Sequence, residues 1–202
     1  MNDTYRTISK PIEAVLFKDK NSKFFGYAFP VQDEDAVKLQ IEHLKKEHHS
    51  ARHWCYAYQI GTSEIKYRTN DDGEPNNSAG IPIYGQIQSF ELTNVLIVVV
   101  RYFGGTKLGV SGLINAYKTT AQLALENAKI EEKTVNVIME VHFEYINMNT
   151  VMRIIKEHQL NILKQDFKLN CKLQFEVRLS ESETIMSVFK AYHELQITKI
   201  NY

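Results

Sequence analysis

Cysteine is nearly missing from this 202-residue chain: Cys55 and Cys171 stand alone and far apart, so no disulfide framework is implied. The opening stretch, Met1 to Arg6, has no apolar core of the kind a secretory leader carries. The longest unbroken apolar run, Val95 to Val100, falls far short of the ~20 residues a bilayer span requires. Neither sign of charge is in excess, with 24 Lys and Arg against 24 Asp and Glu. That balance excludes a protein that coats nucleic acid through bulk charge, while leaving room for a local basic patch. These absences set the expectation of a cytoplasmic protein with no membrane segment; no cofactor is expected, and no bound metal, because His53 and Cys55 lack two further ligands at suitable spacing.

What is present is enough apolar material, 44% of the residues, to build a packed core. Ile12–Phe17 and Phe24–Phe29 predict a hairpin about a polar turn at 18–23. Asp33, Glu34 and Asp35 predict a helix start, with Val37, Ile41, Leu44 and His48 at helical spacing behind it. His53–Ile60 alternates, placing Trp54, Tyr56, Tyr58 and Ile60 on one face, and a second strand is expected around Ile65, Tyr67 and Thr69. A polar loop follows from Asn70 to Gly80. Val95–Val100 predicts a central strand covered on both faces. After it, Val110, Leu113, Ile114, Tyr117, Ala121, Ala124, Leu125 and Ala128 line one helical stripe. The charged stretch Lys129–Thr134 is expected as a junction. Beyond it the pattern reads strand, helix, strand, strand, helix, strand, with Ser180 and Glu183 spaced as a capping box before the last helix.

Three segments can carry chemistry. Arg101-Tyr102-Phe103-Gly104-Gly105-Thr106-Lys107-Leu108-Gly109-Val110-Ser111-Gly112 joins a buried strand to a helix start, where free N–H groups and the helix dipole favour an anion. Arg101, Gly104, Gly105, Lys107, Gly109 and Gly112, with Arg68, are therefore the candidate anion or nucleic-acid site. The spacing fits neither a P-loop nor a dinucleotide fingerprint, and the glycines could equally serve turns and close packing. Asp71, Asp72 and Glu74 could hold a cation through water or form a solvated turn. His53 and Cys55 point to one strand face, as a thiol and base would, or as a small buried residue beside a packed imidazole. Arg52, Arg68, Arg101, Lys107 and Lys118 could share one basic face.

Taken in order, His53-x-Cys55, Asp71-Asp72-Gly73-Glu74-Pro75, Ala79-Gly80-x-Pro82, Arg101-Tyr102-Phe103-Gly104-Gly105-x-Lys107-Leu108-Gly109, Gly112-Leu113 and Ala116-Tyr117 resemble the IMPACT/YigZ family. Asn77-Ser78, Ser111 and Asn115 depart from that family's usual Gly-Thr, Gly and Arg, and the last weakens the case for a strongly basic groove. The resemblance implies an α+β protein of the bacterial form: a ribosomal-protein-S5-domain-2-like domain over residues 1–132, then a ferredoxin-like βαββαβ domain over residues 133–202, without the N-terminal partner-binding domain of eukaryotic relatives. The domain pair is similar to the fourth and fifth domains of elongation factor G, which implies RNA or the ribosome as partner, or a protein of the translation apparatus. Eukaryotic members regulate translation during amino-acid starvation by competing for an activator of a stress kinase. A nucleic-acid- or ribosome-binding regulator of translation is the expectation. The alternatives are a metal-assisted hydrolase or phosphate-handling enzyme, and a pure protein–protein regulator.

Overall fold

The structure, a computed structural model, describes residues 3–200. It divides into two compact units, one over Tyr5–Lys133 and one from Thr134 onward that also takes in Asp3 and Thr4.

The first unit is built on five strands: β2 (Ile12–Asp19), β3 (Ser22–Pro30), β4 (His53–Ile60), β5 (Lys66–Asn70) and β6 (Val95–Tyr102), following a short β1 (Thr4–Ile8). They lie in the order β2-β3-β6-β4-β5, every neighbour antiparallel. The β2–β3 turn is tighter than the sequence predicts. It needs only Lys20 and Asn21, both at positive φ (42° and 65°), the signs a two-residue hairpin turn demands.

β6 is central, and Val95–Val100 are all fully buried because each face has its own cover. Val95, Ile97 and Val99 pack with α2 (Gly80–Ser89) and α3 (Gly109–Glu126). Leu96, Val98 and Val100 join Val37 and Leu44 of α1 (Glu34–Glu47), together with Trp54, Tyr56, Tyr58 and Ile60. The acidic start of α1 behaves as its sequence predicts: Asp33 caps it, accepting from the Ala36 N–H at 2.7 Å.

Helix α2 is an element the sequence reading leaves unassigned. Its Pro82 sits in the first turn, where the missing N–H would be unpaired anyway, and Ile83 and Ile87, one turn apart, are both buried. Two short strands also escape the patterns. Lys129–Thr134 is not a bare junction, since β7 (Ile130–Thr134) pairs with β1 in a separate two-stranded sheet. The α3 stripe holds with three exceptions: Val110 and Ile114 face outward, at 54% and 39% exposure, and Ala128 lies beyond the helix, past its C-cap Asn127.

The second unit runs β8 (Asn136–Glu144), α4 (Met148–Glu157), β9 (Asn161–Asp166), β10 (Asn170–Arg178), α5 (Ser182–Lys190) and β11 (Gln196–Ile200). Its sheet order β11-β8-β10-β9, antiparallel throughout, is the ferredoxin-like arrangement. Met139, Val141, Leu173, Phe175, Ile185 and Phe189 form its core. The expected capping box does not form, and α5 starts without a side-chain cap. The Ser180 N–H is directed instead to Asp3, whose carboxylate also takes two bonds from Arg178, Nε at 2.7 Å and Nη2 at 2.9 Å. No pattern in the sequence signals that placement of Asp3.

Candidate functional site

The end of the sheet where β4 begins and β6 finishes carries the unusual polar chemistry, with His53 opposite Arg101 in register. Arg101 is 5% exposed, and its Nη1 meets Glu74 Oε1 at 2.6 Å. Tyr117, reaching across from α3, donates to the same carboxylate oxygen at 2.8 Å. Burial, reinforced by the neighbouring Cys55 and Glu74, holds the Tyr117 hydroxyl firmly protonated. Arg101, expected as a candidate anion-site cation, is thus paired with Glu74 and is not a free surface cation. One atom stays unused: Arg101 Nε is buried without a hydrogen-bond partner.

The acidic loop proves to be a backbone organiser. Asp71 Oδ1 accepts from the Ala79 and Gly80 N–H groups at 2.9 and 2.8 Å, capping α2 from nine residues upstream, and Oδ2 accepts from Asn77. Asp72 Oδ2 accepts from the Trp54 N–H at 2.7 Å. Both carboxylates accept from backbone N–H groups, and no cluster of three or more potential metal ligands occurs among the described residues. Cys55 is fully buried, its thiol donates to the Asp71 carbonyl at 3.0 Å, and burial pushes its pKa far up, so no thiolate nucleophile is available. His53 Nδ1 lies 2.9 Å from the Asp72 carbonyl. A carbonyl only accepts, so the proton sits on Nδ1.

The glycines divide by role. A Cβ on Gly104 would fall 2.0 Å from the Asn21 carbonyl carbon, so this glycine exists to let the loop lie against the β2–β3 turn, where its N–H meets Ser22 Oγ at 3.1 Å. Gly105 and Gly109 have positive φ (88° and 74°) and open space around them. Gly112 lies inside α3 against Leu108.

This loop and the acidic loop together enclose a cavity of about 460 Å³. Arg52, His53, Glu74, Arg101 and Lys107 supply its polar lining, and Phe103, Leu108, Val110 and Leu113 its apolar wall. Gly109 also lines it, at the N-terminal end of α3. That end has no side-chain cap and no acidic residue in its first turn. Of the predicted anion-site residues, the fold therefore gathers Arg101, Lys107 and Gly109. Arg68, on edge strand β5 opposite Tyr58, does not line the cavity, and neither do Lys118, Gly104, Gly105 or Gly112. Phe103 is the functional candidate that sequence reasoning missed. An aromatic after a buried strand reads as core, yet Phe103 is 56% exposed, and only its place between the end of β6 and the glycines hinted otherwise.

No helix among the described residues is long and apolar enough to cross a membrane. The profile of the Impact N-terminal domain matches residues 20–125, which include all of β3–β6, α1, α2 and the lining of the cavity. Over most of its length the chain is similar to IMPACT family member YvyE of Bacillus subtilis, at 32% identity covering 91% of this chain and 83% of that protein. It is also similar to IMPACT family member YigZ of Escherichia coli, at 29% identity covering 76% of each. A crystal structure of a protein described only as hypothetical aligns over 100% of this chain and 99% of its own, with a TM-score of 0.75 at 24% identity, a likeness of fold. Profile match and relatives agree: the chain belongs to the IMPACT family.

Proposed function

We propose that this protein binds RNA, on the ribosome or free, as a regulator of translation, and that the cavity at the start of α3 is its phosphate contact. One observation carries the reading. The uncapped N-terminus of an 18-residue helix opens into a hollow lined by Arg52, His53 and Lys107. Helix N–H groups and the dipole favour negative charge there, and the Arg52 and Lys107 cations beside it suit an oxyanion. The zero net charge of the chain matters little, because beyond about 8 Å at physiological salt the distant charges are screened and the local patch dominates. The translational role follows the family resemblance. The metal-assisted hydrolase is disfavoured, since both Asp71 oxygens and Asp72 Oδ2 already accept from backbone donors and Glu74 is paired with Arg101.

A protein partner is the second reading, favoured by the exposed apolar side chains Ile65 and Tyr67, at and beside edge strand β5, and Ile81 on α2, at 48%, 59% and 48% exposure. The two separate cleanly. Untagged protein should co-sediment with ribosomes in a salt-sensitive way and leave them on nuclease treatment, and Lys107→Glu should weaken this association without altering the melting temperature. Ribosome association by Lys107→Glu equal to wild type, or wholly resistant to nuclease, would overturn the RNA reading.

A further inference from the structure

Phe103 narrows the kind of RNA that fits this site, an inference that rests on the RNA-binding function proposed for the cavity. Phe103 borders two hollows. One is the α3 cavity with Lys107 and Arg52; the other, about 300 Å³, is lined by Lys23, Phe25, His48 and Tyr102. The ring is 56% exposed although the Arg101 guanidinium lies 5.5 Å from its centroid. An aromatic packed against a fixed cation, with a lysine in the hollow on each flank, matches the alternation of phosphate, base and phosphate along an extended strand. Arg101 adds an independent sign of a ligand. It is only 5% exposed and lines the cavity, and its Nε donor is buried without an acceptor in the protein, a lack that the ion pair with Glu74 does not make good.

We propose that this surface binds single-stranded RNA, one unpaired base stacking on Phe103 while flanking phosphates reach the α3 N-terminus with Lys107 on one side and Lys23 on the other. A duplex cannot satisfy this arrangement, because its bases are already stacked on one another and only its backbone and groove edges are presented.

The test uses the full chain and two fluorescent probes of equal length, a single-stranded oligouridylate and an RNA duplex, titrated by anisotropy over a range of KCl concentrations. The single strand should bind at least about ten-fold tighter. Phe103→Ala should cut single-strand affinity by about ten-fold, the usual scale of one base–aromatic stack, and leave the salt dependence unchanged. Phe103→Leu, which keeps bulk and loses the π face, should fall similarly, while Phe103→Trp should hold or gain. Lys107→Ala and Lys23→Ala should each flatten the log–log salt slope by about 0.7. Duplex binding as tight as single-strand binding, or Phe103→Ala and Phe103→Leu at wild-type affinity, would sink the single-strand inference, and RNA binding would still stand if Lys107→Glu remained defective. Wild-type protein that binds neither probe at low salt would bring down the RNA reading itself, and this inference with it.

Discussion

Glu74 and Arg101, 27 residues apart, form an ion pair in which both side chains are about 5% exposed, and Tyr117 closes it from the helix above. The pair joins the acidic loop to the last strand before the glycines, and so fixes the two walls of the cavity relative to each other. Removing one partner strands a buried charge. Glu74→Leu or Arg101→Met alone should cost about 3–5 kcal/mol in urea unfolding, whereas the two combined should cost clearly less than the sum. Additive losses would show that the pair is not coupled.

Asp71 invites a different test. Because its carboxylate accepts three backbone N–H groups at the start of α2, Asp71→Ala should destabilise by about 2 kcal/mol, at the upper end of a helix cap. The wild-type melting curve should not shift on adding EDTA. A chelator-dependent melt that Asp71→Ala abolishes would restore the metal reading.

The glycines should separate in the same assay. Gly105→Ala meets only backbone strain at positive φ, worth about 1–2 kcal/mol. Gly104→Ala drives a methyl into the β2–β3 turn and should cost more, about 3 kcal/mol. The reverse ranking of the two unfolding midpoints would contradict the packing described.

Much of the fold is legible in the sequence and some is not, for identifiable reasons. Alternation over Leu169–Leu179 and the solid run Val95–Val100 announce their strands because burial on one face, or on both, leaves a direct mark on composition. Helix α2 leaves a weak one, since Pro82 and Gly85 lower its propensity and its support comes from Asp71 outside the helix and from packing. The site is legible as a pair of motifs and opaque as a geometry. Nothing in the spacing says that Arg101 turns inward to Glu74, that Arg68 stays away on an edge strand, or that Phe103 is left to solvent. Those outcomes depend on which strands become neighbours.

A pH effect should arise on the opposite face of the sheet. His48 Nε2 lies 2.5 Å from the Tyr27 hydroxyl and Nδ1 lies 2.9 Å from the Tyr102 hydroxyl, with the Phe25 ring 5.5 Å away. Burial lowers the His48 pKa despite the Glu47 carboxylate 3.7 Å away, and raises that of Tyr27 to about 12. A histidine whose folded pKa is depressed contributes stability that is complete above its ordinary value of 6.5 and lost as pH falls through the lower folded value. Urea midpoints should therefore decline below pH 6.5, and His48→Gln should flatten that decline. An unchanged slope in the variant would assign the acid sensitivity elsewhere.

The salt bridge from Asp3 to Arg178 spans 175 residues of sequence inside one compact unit. At roughly 5–20 residues per second of synthesis, Asp3 waits about 9–35 s for its partner to be made. The intervening unit, Tyr5–Lys133, has all of its own strands in hand well before then. The pairing of Asp3 with Arg178 accordingly has to wait until β10 has been made, long after the strands of the intervening unit.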